Sequence, residues 1–145
     1  MFAVADARAA GVSESRLRGK DLSRPFRGMR ATGARTHASG PSDVEMARSA
    51  HFKKAMQYSL VMPQTQFFTH VTAAIMWDFP LPVALVLGST GLDVGEFAPR
   101  RHTRSDGVRG HQVAVRHATS RVHPTFGVRV ASPASTWAMM AAVMQ

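Results

Sequence analysis

Gly11 divides the opening stretch, Val4 to Arg18, into two short helical segments, and that division constrains the fold more than any other feature of the chain. Ala7 is small enough for two helices to cross closely, and Gly11 can adopt the left-handed turn. Ser13 can cap the second helix, and Leu17 points into a core. The Ala-x3-Gly-x5-Leu spacing is that of a helix-turn-helix, and Arg16 and Arg18 crowd the helix that would enter a DNA groove. An ordinary helical hairpin at a basic N-terminus fits the same spacing, so the surroundings of the motif carry the weight.

The surroundings are basic. Eighteen Lys and Arg against nine Asp and Glu leave a net charge of +9 on 145 residues, an excess that favours a polyanionic partner. One block runs from Arg8 through Arg16, Arg18, Lys20, Arg24, Arg27 and Arg30 to Arg35, opposed only by Asp6, Glu14 and Asp21. A second, from Arg100 to Arg129, is opposed only by Asp106, and it fits a solvated basic surface equally well. In the first block, charge and helix-turn-helix spacing coincide. Ser15, Arg16 and Arg18 are therefore expected to face bases, with Lys20, Arg24, Arg27 and Arg30 holding phosphates.

Pro25 and Gly28 disfavour helix in Arg24–Arg30, which predicts a short extended wing. Residues 33–41, rich in Gly, Ser and Pro, read as a linker. The expected architecture is thus α+β: a winged helix-turn-helix over 1–32, then a small α+β domain over 42–145. Ser42 and Glu45 form a capping box before Val44, Ala47, His51, Ala55 and Tyr58, which recur at helical spacing towards Met62 and Pro63. A second helix is expected over Phe67–Trp77, capped by Thr69 and closed by Pro80 and Pro82. Strand periodicity follows in Leu92–Val94, Val108–Val115 and Phe126–Val130, with a turn at Asp106-Gly107. Ser132 and Pro133 open a last helix that is apolar on nearly every face and so calls for cover from a partner, such as a toxin or a second copy.

Little in this pattern suggests catalysis or a cofactor. No cysteine is present, which removes thiolate zinc sites and cysteine nucleophiles, and no Asp or Glu follows Asp106. His70, near a helix start, has no sequence neighbours that complete a site, so a histidine bonded to backbone or a neighbour is the simpler reading. His111, His117 and His123 recur every six residues, whereas strand-borne ligands pair at short even spacing; no metal is expected. Asp6 and Arg8 stand where a signal peptide needs apolar residues, and no apolar run reaches membrane length, so a cytoplasmic protein without membrane contact is expected.

Five blocks in order carry a resemblance over nearly the whole chain. They are Phe2–Arg30, Thr69–Pro82 (THVTAA through WDFPLP), Phe97–Arg101, Gly107–His111 and Gly127–Trp137. Together they resemble the front part of actinobacterial proteins related to AbiEi antitoxins, the DNA-binding halves of type IV toxin–antitoxin systems. The resemblance implies a transcriptional regulator that binds double-stranded DNA. In many such relatives this part precedes a Vsr-like nuclease domain, whose metal-holding acidic residues find no match here, so no catalytic residue carries over. The rival expectations are the non-catalytic front of such a nuclease protein, its catalytic domain missing after Gln145, and a toxin-binding module acting through the last helix. Ala3 replaces a frequent Thr or Ser, Ile75 a common Arg, and Asp78 a common Gly.

Overall fold

The computed structural model describes residues 2–19, 22–23, 27–32 and 42–144. The linker expected at 33–41, and Lys20 and Arg24 with it, lies outside the described residues. Strand β1 (Phe2–Ala3) passes directly into helix α1 (Val4–Ala9). Ala3 offers no capping side chain, and the Val4 N–H donates instead to the Gly28 carbonyl at 2.7 Å. Gly11 takes φ 83°, the left-handed conformation that the turn requires, and the chain reverses into α2 (Glu14–Leu17). Strands β2 (Leu22–Ser23) and β3 (Met29–Thr32) complete a small antiparallel sheet of order β1-β3-β2. Val4, Ala7 and Leu17 bury together with Phe2 and Val12 packed on them, while Ala3 and Met29 join the main core.

Helix α3 (Asp43–Ser59) starts with the expected capping box: the Glu45 N–H donates to the Ser42 hydroxyl, and the Ser42 N–H donates to the Glu45 carboxylate at 2.8 Å. His51, Ala55 and Tyr58 form its buried face, as their spacing predicts, and the helix ends at Ser59, short of Met62.

The expectation of a helix from Phe67 needs correction. Gln66–Phe68 is strand β4, and helix α4 begins only at His70 (His70–Met76), without a side-chain cap from Thr69. Both faces of β4 are buried, a setting in which consecutive aromatic residues favour strand over helix. Helix α5 (Val83–Gly88), which carries no strong sequence signal, follows Pro82.

The remaining elements are β5 (Leu92–Phe97), β6 (Val108–Val113), a single 3-10 turn (Val115–His117), β7 (Ser120–Val122), β8 (Arg129–Ala131) and α6 (Pro133–Val143). Gly107, with φ 76°, makes the expected turn before β6. Phe126 and Gly127 are not strand as expected, because the Gly127 N–H donates to the His123 carbonyl at 2.9 Å and closes a turn ahead of β8. A mixed five-stranded sheet results, in the order β6-β5-β4-β8-β7. In it β4 lies antiparallel to β5 and parallel to β8, β5 is parallel to β6, and β7 is antiparallel to β8. The chain is therefore mixed α+β. Phe68, Leu92, Val94 and Val130 are fully buried in its core, and the Tyr58 ring of α3 lies edge-on to Phe68 at 6.3 Å.

Helix α6 is only partly as expected. Ser132 caps it and Pro133 opens it, yet Ser135, Thr136 and Met140 are buried, so its inner face is covered by the fold itself. Trp137, Val143 and Met144 remain exposed at 52%, 43% and 45%, with Phe79 stacked on the Trp137 ring. Among the described residues no helix is long and apolar enough to cross a membrane.

Candidate functional site

Two groups of polar side chains could act on other molecules. The first is the α1–α2 hairpin. Ser13 caps α2 by accepting the Arg16 N–H at 3.3 Å, which fixes a turn on which Ser15, Arg16 and Arg18 are all exposed. Glu14 pairs with Arg8, and Arg18 lies 3.7 Å from the same carboxylate. Arg27 is exposed beside the hairpin. Arg30 is half-buried, and its guanidinium donates to the Leu17 and Met29 carbonyls at 2.7 Å each, so it ties the end of α2 to β3. That leaves it less free for a phosphate than its sequence position suggests. Arg27 and Arg30 share the wall of a groove of about 720 Å³ with Arg104 and Asp106, so the two basic blocks of the sequence meet there.

The second group was not foreseen as a group. The Thr69 N–H donates to the Asp93 carbonyl at 3.0 Å, which sets the end of β4 against β5 and delivers His70 next to Asp93. Parallel pairing places Arg109 opposite Asp93 and His111 opposite Gly95, and strand alternation puts Asp93, Arg109 and His111 on one face. The His111 Nε2–H donates to Asp93 Oδ1 at 2.8 Å, Arg109 lies 3.5 Å from the same oxygen, and the His70 ring stacks on His111 with centroids 4.0 Å apart. Asp93 is 1% exposed. His70 takes φ 44°, an uncommon backbone conformation for a residue with a Cβ, of the kind that clusters at functional positions.

One ligand atom from each of His70, Asp93 and His111 lies within 4.8 Å of the others. Burial, followed by the neighbouring His111, pushes the His70 imidazole down to about 4 against the pull of Asp93; it is neutral near pH 7. Behind the cluster, the Thr72 hydroxyl accepts the Asp93 N–H at 2.8 Å and lies 2.9 Å from His51 Nε2. Neutral imidazole nitrogens beside a carboxylate can hold a cation or relay a proton. His117 and His123, the other members of the six-residue series, are not part of this cluster. Asp93 gave no sequence signal, because a single Asp inside an apolar strand run reads as the polar step of an alternation.

No protein-family model matches the chain, and no curated protein matches it.

Proposed function

We propose that the chain is a DNA-binding transcriptional regulator of the AbiEi-like, type IV antitoxin kind, with residues 1–32 acting as a winged helix-turn-helix. The observation that carries this reading is the capped hairpin, in which Gly11 reverses the chain and α2 presents Ser15, Arg16 and Arg18 to solvent with β2 and β3 following. In this reading those three side chains face base edges in the major groove. Arg27, with Lys20 and Arg24, holds phosphates, and Arg104, which lines the same groove as Arg27, lengthens the basic track. Arg30 serves mainly by holding α2 in place. No catalytic residue or resident cofactor enters the reading.

Two departures from the resembling proteins fall where the residues common in those proteins would fit the backbone. Asp78 has φ 55°, a conformation that suits the glycine common in the resembling proteins. The N-terminus of α1 lacks a side-chain cap at Ala3, the position where those proteins often carry Thr or Ser.

Selection from a random duplex pool supplies an operator, and fluorescence anisotropy then measures affinity as salt rises. Binding that weakens steeply with salt is expected, because bound arginines displace counterions. Arg16→Ala and Arg18→Ala should each cost about 1–3 kcal/mol on the operator and less on random DNA, whereas Arg27→Ala should weaken both alike. Absence of binding at low salt, or affinity indifferent to salt, removes the DNA reading. A second reading, contact with a toxin or a second copy through α6, draws on the exposed Trp137, Val143 and Met144.

A further inference from the structure

The Asp93 carboxylate is almost wholly buried, yet only one of its oxygens is in use. Oδ1 takes both the His111 Nε2–H and the approach of Arg109, while Oδ2 has no hydrogen-bond partner, and neither has the buried His70 Nδ1. A buried carboxylate oxygen and a buried imidazole nitrogen left without partners are costly, and a ligand shared by the two residues would satisfy both. Arg109 does not fill the gap: it reaches Oδ1 and is 58% exposed, free to swing towards solvent.

We propose that His70, Asp93 and His111 bind one divalent transition-metal cation of the Zn(II) type. Two imidazoles and one carboxylate form a nitrogen-rich set that suits zinc and its neighbours, whereas magnesium and calcium take oxygen ligands. Ligands about 2.1 Å from a tetrahedral ion lie roughly 3.4 Å apart. The present separations of up to 4.8 Å therefore close when the His70 and His111 rings draw in by about 1 Å. As the metal takes the His111 Nε2, the proton now shared with Asp93 is exchanged through solvent for one on Nδ1, so His111 binds as a neutral imidazole and no electron changes hands. A remaining coordination position opens towards a groove of about 500 Å³ lined by His70, His111, His117, Ala138 and Met139. Three protein ligands and an open position match metal sites that accept a further ligand better than closed structural ones.

The test uses the full chain, stripped with a chelator and titrated with Co(II), whose visible absorption reports coordination, with Zn(II) added in competition. Saturation at one equivalent is expected. His70→Gln and His111→Gln should weaken binding about tenfold or more, and His102→Gln, on the exposed loop, should leave it unchanged. Imidazole nitrogen NMR of the wild-type chain covers the case of a variant that fails to fold, because Zn(II) must then shift the His70 and His111 resonances. No saturable Co(II) uptake, affinity unchanged in both variants, or Zn(II) shifts confined to other histidines overturns the proposal.

Discussion

Met140 and Val143 stand three residues apart on α6, and the structure gives them opposite weights. Met140 is 1% exposed and shares a buried cluster with Val71, Ala74 and Ile75 of α4, on which Phe52, Phe79, Leu81 and Leu85 also pack. Met140→Ala leaves a void in this cluster, where α6 packs on α4. The expected cost lies in the middle to upper part of the range for buried Met→Ala, about 3–4 kcal/mol. For a chain of this length that lowers the melting temperature by roughly 10–15 °C. Val143 is 43% exposed near the end of the helix, and Val143→Glu should change stability by no more than about 0.5 kcal/mol. Urea unfolding followed by circular dichroism, with both variants at several protein concentrations, measures the contrast. Equal losses would refute the packing argument. A large, concentration-dependent loss in Val143→Glu alone would mean that the outer face of α6 is covered by a second copy.

Two further outcomes follow from buried polar groups. His51 is held below its ordinary 6.5, chiefly by burial, with Lys54 adding to the shift and Asp93 and the Ser89 carbonyl opposing it. As pH falls, the unfolded chain takes up this proton first, so the contribution of His51 is complete above about 6.5 and is lost as pH drops through the folded value; the urea midpoint should fall more between pH 7 and 5 in wild type than in His51→Gln, and equal falls would remove His51 as the cause. The Trp77 indole N–H donates to the Ala131 carbonyl at 2.8 Å, tying the end of α4 to β8, and Trp77→Phe should cost about 1–3 kcal/mol in chemical denaturation; a neutral result would show that water replaces the bond.

The parts of the fold legible in the sequence are those whose signals are local. Gly11, Ser13, the Ser42–Glu45 box, Ser132-Pro133 and Asp106-Gly107 each settle a cap or turn from neighbouring residues alone, and the structure has the element each one announces. Phe67-Phe68 misleads because the run preceding Thr69 is apolar at any period, and only its pairing with β5 on one side and β8 on the other makes it strand. The short strand β7 carries Arg121 among exposed neighbours and owes its existence to pairing with β8, which no local pattern announces.

The His70–Asp93–His111 cluster was illegible for a related reason, and its energetics say something about Asp93. Its three residues come from the β4–α4 junction and two separate strands, so their meeting depends on sheet order and parallel register. Asp93 sits between Leu92 and Val94, each 1% exposed, in a strand where an apolar side chain would bury without any polar atom to satisfy. Holding a carboxylate there, with Oδ2 unpartnered, costs about 1–3 kcal/mol for the empty oxygen alone. The bond from His111 and the ion pair with Arg109 offset part of that cost, but they engage only Oδ1. A well-packed apolar residue is often at least as stable as a buried ionic group of similar volume. Asp93 is thus poorly accounted for by stability alone, and a ligand that uses Oδ2 would account for its burial.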